Sequence, residues 1–266
     1  MKLVALIRTK NSVLYLEECL IKLSSLVDEI ILMDNGSTDG TLEVCKRFPK
    51  IVQIIQRDDT GDFNEGRDMN ILLEEGKKRN PDWMTMAWPD EVFEKHLTRD
   101  ILDKYMESEY EMVGFRMCHF WLSMKYCRFD RRWFKYTLTP QRFMWRNLES
   151  TYFDNVVIHP GMIKGIHSKP YISPYRIKHY GYVNKEEVVS KMKVFKKADP
   201  DGEEKYRPSD MEHKESTEQI LYYPFMELDN KILNHLYIIF YDLCCDVLLT
   251  LVKIKRRYLG RLRVFR

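Results

Sequence analysis

The chain has 266 residues, 44% of them apolar, enough for one large domain with a buried core or for one domain and a tail. Its 43 lysines and arginines against 40 acids leave a net charge of +3, too mild to draw the molecule as a whole to nucleic acid. Six cysteines, at 19, 45, 118, 127, 244 and 245, form no CxxC pair and no zinc-ligand spacing, so reduced thiols in a cytoplasmic setting are expected.

Met1 to Arg8 holds an apolar core too short for a signal peptide, and Leu3 to Ile7 is a first strand buried on both faces. It delivers Arg8, Thr9, Lys10 and Asn11 to the rim of a sheet. Val13, Leu16, Leu20, Leu23 and Val27 recur at helical spacing, and Asp28 to Met33 is a second strand. The turn Asp34-Asn35-Gly36-Ser37-Thr38-Asp39-Gly40-Thr41 follows. Gly36 and Gly40 can take positive φ, and Ser37, Thr38 and Asp39 can cap the next helix, Thr41 to Phe48. Asp34 therefore stands at the carboxyl edge of a parallel sheet, where open α/β folds bind ligands and a carboxylate accepts from a ribose or a base edge.

Lys10-Asn11, Val27 to Ile31 and Asp34 to Thr41, in that order and spacing, resemble the opening of the family-2 glycosyltransferases with the GT-A fold. The resemblance extends over about residues 1–190. It implies a doubly wound mixed sheet flanked by helices, a nucleotide-diphosphate sugar donor, UDP-linked, and transfer with inversion to a glycan or lipid-linked glycan. A catalytically inactive nucleotide-sugar-binding relative is the alternative. A nucleotidyltransferase is disfavoured, because Arg8 to Ser12 contains no glycine for a phosphate loop.

Ile51 to Ile55 is a third strand. Asp62 and Glu65 have capping-box spacing for a helix running to about Arg79. The resemblance gives Arg67, in the phrase Asp62 to Arg67, a place facing the donor nucleotide, beside Thr9 and Asp34 as nucleoside contacts. Trp83 to Ala87 is a strand ending in Trp88-Pro89-Asp90-Glu91. The family carries an Asp-x-Asp signature here for a divalent cation, Mn²⁺ or Mg²⁺; Asp90 and Glu91 match its second half, and Trp88 stands where the first aspartate is expected. Trp88 either lines the nucleotide or fills the core at a strand end.

Phe93, Leu97, Ile101 and Tyr105 mark a further helix, and Glu111 to Met117 a strand. His119 to Arg146 interleaves nine aromatics with seven arginines and lysines, from Phe120 and Trp121 to Trp145 and Arg146, the composition of an acceptor-side surface. Core aromatics with a basic edge have the same composition. Inversion needs a base for the acceptor hydroxyl. Glu149 and Asp154 are the candidates, with Asp154 preferred and His159 nearby. The phrase Arg176 to Tyr182, with Glu186, Glu187 and Lys191 after it, resembles the segment that closes the family's catalytic domain, which pairs His179 with Asp90 at the metal.

Domain boundaries are expected at 1–198 for the catalytic domain and 199–266 for a charged connection and a helical C-terminal extension. From Ile232 to Val252 the chain is nearly all apolar, with His235, Asp242, Asp246 and Lys253 in one polar stripe, before a basic tail. Such a helix suits a membrane surface, or self-association and other protein contact, better than a bilayer span holding two aspartates.

Overall fold

A computed structural model describes residues 1–57, 63–128, 139–200 and 219–221, with positions 236, 243, 247 and 250. The elements run β1 (Leu3–Thr9), α1 (Val13–Ser24), β2 (Glu29–Asp34), α2 (Thr41–Cys45), β3 (Ile51–Gln56), α3 (Glu65–Lys77), β4 (Trp83–Ala87), β5 (Glu91–Phe93), α4 (Arg99–Glu107), β6 (Met112–His119), β7 (Tyr126–Arg128), β8 (Arg142–Arg146), β9 (Tyr171–His179), α5 (Lys185–Ala198) and β10 (Gln219–Leu221). Eight strands form one mixed sheet in the order β3-β2-β1-β4-β8-β6-β9-β5, and β10 pairs with β7 apart from it. The first four sheet strands are parallel, β8 is antiparallel to β4 and β6, and β9 is parallel to β6. This is the doubly wound mixed α/β sheet that the GT-A resemblance implied.

The continuous apolar strands are buried on both faces, and alternate residues serve different layers. Leu3, Ala5 and Ile7 of β1 join Leu16, Leu20 and Leu23 of α1 and Leu102 and Met106 of α4. Val4 and Leu6 point the other way, into Met69, Leu72 and Leu73 of α3. Gly76 lets α3 lie close on β1, since a Cβ there would come within 2.9 Å of the Leu6 side chain.

Several local expectations are corrected. α3 is capped by Asn64, whose Oδ1 accepts from the Arg67 N–H at 2.8 Å, and Glu65 turns away toward His159; Asp62 lies outside the described residues. Asn64 wins because its extended backbone (φ −153°, ψ 103°) aims its side-chain carbonyl at the free N–H groups of the first turn. The helix placed on Phe93 and Leu97 begins only at Arg99, because residues 91–93 pair with Ile177–His179 as β5. α2 stops at Cys45.

Among the described part of the aromatic segment, Phe120, Trp121, Phe143 and Trp145 are core residues. Arg128 is buried over Trp121 at 4.2 Å, and Arg146 donates to the carbonyls of Tyr110, Met106 and Ser108. Residues 129–138, the 201–218 connection and the polar stripe of the C-terminal extension lie outside the described residues. At Leu236, Leu243, Val247 and Thr250 the extension is helical and exposed. Among the described residues, no helix is long and apolar enough to cross a membrane.

Candidate active site

β1 lies between β2 and β4, with Thr9 level with Asp34 and Ile7 level with Ala87. The carboxyl ends of these strands therefore bring Thr9, Asp34 and the Trp88–Asp90 turn to one rim. The turn after β2 is locked to the loop after β1 by reciprocal bonds. The Asn11 N–H donates to Ser37 Oγ (2.8 Å), the Thr38 N–H to Asn11 Oδ1 (2.8 Å), and the Val13 N–H to Asp39 Oδ2 (3.1 Å). Gly40, at φ +92°, closes the turn into α2.

Asp34 Oδ2 accepts from the Ser37 N–H at 3.1 Å. Its Oδ1, Thr9 Oγ1 and Asn35 Oδ1 are buried without a hydrogen-bond partner. Three such atoms on adjacent residues of one rim are costly unless a ligand serves them. Beside them is a carboxylate that the sequence pattern did not disclose. Asp68, on α3 and fully buried, accepts from Arg8 Nε and Asn35 Nδ2, each at 3.0 Å, and faces Arg67 at 3.4 Å and Arg57 at 3.6 Å. The Arg57 backbone N–H also donates to the Asp34 carbonyl at 2.8 Å. One carboxylate thus organises three guanidiniums next to three unserved oxygens, a frame suited to a polar, anionic ligand.

The second cluster lies at the ends of β4 and β9. His179 Nε2 stands 3.5 Å and Lys191 Nζ 3.3 Å from Asp90 Oδ2. Burial opposes ionisation of Asp90, but Lys191 and His179 outweigh it and hold the carboxyl well below the usual carboxylate range; Asp90 in turn raises Lys191. Burial, with the charges of Glu187 and Asp90, pushes the Tyr15 hydroxyl up to about 12. Burial and then the Asp90 charge raise Glu187.

Asp90, Glu91 and His179 bring ligand atoms within 4.8 Å of one another. Glu91, however, is buried and engaged through both oxygens by Arg142, Nε at 2.7 Å and Nη2 closer still. Asp90 and His179 are left as the donors that fit a divalent cation, and a carboxylate with one imidazole leaves positions for phosphate and water oxygens. Gly181 fits this reading. A Cβ there would lie 2.6 Å from Asp90 Oδ2 and 2.7 Å from His179 Nε2, so only a glycine keeps the space beside the pair open. Trp88 is half-buried, packed against the α3-side core and 5.6 Å from the Arg142 guanidinium, so it partly serves packing.

Asp154 stands apart from these contacts. It is half-exposed, pairs with Lys164 at 3.4 Å, and its segment crosses Gly66, where a Cβ would strike the Asp154 carbonyl at 2.2 Å. His159, at φ +55°, rests its N–H on Glu65 Oε2 at 2.7 Å. Asp68 had no local signal, since its partner Arg8 is sixty residues away in the chain.

Fold and site together define a class: an α/β protein with its polar ligand site at the carboxyl edge of the sheet and a carboxylate–imidazole pair beside it. Residues 5–115 match the model of Glycosyl transferase family 2. No curated protein matches the chain in sequence. Among solved structures it is similar to S. aureus TarS at 18% identity and a TM-score of 0.45, over 75% of this chain and 40% of that one. It is similar to TarS 1–349 in complex with UDP-GlcNAc at 16% identity and 0.43, over 75% and 68%. The mannosyltransferase PcManGT from Pyrobaculum calidifontis, in complex with GDP-Man and Mn²⁺, follows at 16% and 0.36, over 55% and 44%. The aligned part of this chain thus spans well under half the length of full TarS.

Proposed function

We propose that the chain moves a sugar from a nucleotide-diphosphate sugar, UDP-linked, to a glycan or lipid-linked glycan acceptor with inversion. The observation that carries this reading is the set of buried, unserved oxygens on Thr9, Asp34 and Asn35 beside the Asp68-ordered arginines. Asp34 Oδ1 and Asn35 Oδ1 are acceptors, which suits the N–H and O–H groups of a nucleoside. Arg57 and Arg67 meet its phosphates. Asp90 and His179 would hold Mn²⁺ or Mg²⁺ at the diphosphate end, where the ion would supply positive charge toward the departing diphosphate. Lys191 adds a positive charge at the same place. Asp154 is the base that takes the acceptor proton. The four described cysteines are buried and form no disulfide, in keeping with a reducing, cytoplasmic setting. The exposed apolar positions of the C-terminal helix suit a membrane surface or a second copy.

Calorimetric titration with a panel of nucleoside diphosphates and their sugars, first with Mn²⁺ and then with EDTA, tests this. One nucleotide is expected to bind, and Asp90→Ala is expected to remove the Mn²⁺-dependent part while the fold stays intact. No binding to any donor overturns the reading. Trp88 in the place of an acid favours one rival, a nucleotide-sugar-binding relative without turnover; release of nucleotide from a bound donor would exclude it.

A further inference from the structure

His119 and His179 end the neighbouring parallel strands β6 and β9 and are register partners. Their rings meet edge to face, at 89° with centroids 5.0 Å apart, and Nδ1 faces Nδ1 at 2.8 Å. Two hydrogens between these atoms would clash, and two lone pairs would repel, so one shared hydrogen lies in that gap. The Tyr182 ring stands edge-on to both imidazoles, at 6.0 and 5.2 Å, and His119 is buried, so neither ring is free to turn.

We infer that His119 is a positioning residue: it accepts the Nδ1 hydrogen of His179 and thereby reserves the Nε2 edge of His179 for the Asp90 side of the site. The inference rests on the donor-site reading above for what then binds at Nε2. The direction of the bond follows from charge. His179 stands 3.5 Å from the Asp90 carboxylate, whereas His119 lies one ring further into the protein, so the shared hydrogen is more stable on His179. With Nδ1 committed, Nε2 alone is left either to hold a cation through its lone pair or to donate its hydrogen to a phosphate oxygen. A ligand histidine whose far nitrogen donates to a fixed acceptor keeps its tautomer and orientation. Here the acceptor is a second imidazole.

The test is long-range ¹H–¹⁵N correlation of the histidine rings in the full chain, together with titration by Mn²⁺ alone followed by electron paramagnetic resonance. In wild type, His179 is expected to show a protected hydrogen on Nδ1 that disappears in His119→Phe. His119→Asn, whose Oδ1 takes the place of Nδ1 as acceptor, should restore it. Mn²⁺ affinity is expected to fall roughly 10- to 100-fold in His119→Phe and to recover in His119→Asn. A hydrogen found on His119 Nδ1, or Mn²⁺ binding unchanged in His119→Phe, overturns the inference. The nitrogen spectrum needs no donor, so it decides the bond even where no nucleotide binds.

Discussion

Asp68→Asn isolates the carboxylate that orders the arginine cradle. The substitution keeps the shape of the side chain and removes its charge. Arg8 and Asp68 have side chains 7% and 0% exposed, so the substitution takes the negative charge out of a buried ion pair. Such a loss costs about 3–5 kcal/mol, and the amide oxygen of the introduced asparagine can still accept one bond, which pulls the value to the lower end. Arg57 and Arg67 are 27% and 28% exposed, and solvent screens most of their share. At roughly 2–4 °C per kcal/mol for a chain of this size, Tm should fall by about 6–12 °C. Calorimetric titration with UDP then reads the cradle itself. Arg57 and Arg67 lose the anchor that aims them, and loss of one charge-assisted bond, about 1.5–3 kcal/mol, weakens binding roughly 10- to 150-fold. If Asp68→Asn binds UDP as tightly as wild type or more tightly, the carboxylate merely offsets positive charge and the ordering role is refuted.

Gly181→Ala should abolish the Mn²⁺-dependent part of nucleotide binding, because the methyl would come within 2.6 Å of Asp90 Oδ2 and 2.7 Å of His179 Nε2; titration with and without EDTA reads it. Arg142→Met leaves Glu91 buried and unpaired and should cost about 3 kcal/mol in urea denaturation. Lys191→Met removes the ammonium group whose charge does most to depress Asp90. A depressed carboxyl contributes stability that is present above its unfolded pKa, about 4, and is lost as pH falls through its lower folded value. Wild type should therefore exceed Lys191→Met in stability fully at pH 7, and the gap should shrink below about pH 4 in acid melts followed by circular dichroism.

How much of this was legible in the sequence depended on how local each signal is. β1, β2 and β4 are short apolar runs ended by polar residues, and their covered faces leave no other reading. Asp34 ends a strand that the sequence announces, and its place on the rim follows from that strand, whereas His179 was picked out by the resemblance of its phrase and the strand that carries it, β9, was not. β5 was hidden, because Phe93 and Leu97 continue at helical spacing into α4 while Glu91 to Phe93 answers to β9, more than eighty residues on. The buried Arg128 and the bridge from Arg142 to Glu91 were equally out of reach, since a basic residue among aromatics looks the same whether it is solvated or buried over a tryptophan. Asp68 reads as an ordinary helix acid until β1 supplies Arg8.

Trp88 shows how those distant contacts reshape the chemistry that the local phrase suggests. With an acid at 88, the turn after β4 would present a cluster of carboxylates, and only a divalent cation could bring a diphosphate against it. In this chain Trp88 packs inward, and Arg142 takes both oxygens of Glu91. One carboxylate, Asp90, remains in the open part of the turn, already flanked by an imidazole and an ammonium group. The local charge has shifted from strongly negative toward neutral. A diphosphate then meets less repulsion before any cation binds, and the cation's share of the attraction is correspondingly smaller. Trp88 and Lys191 therefore act on the same local charge, the first as a neutral side chain in the turn and the second as an ammonium group 3.3 Å from Asp90.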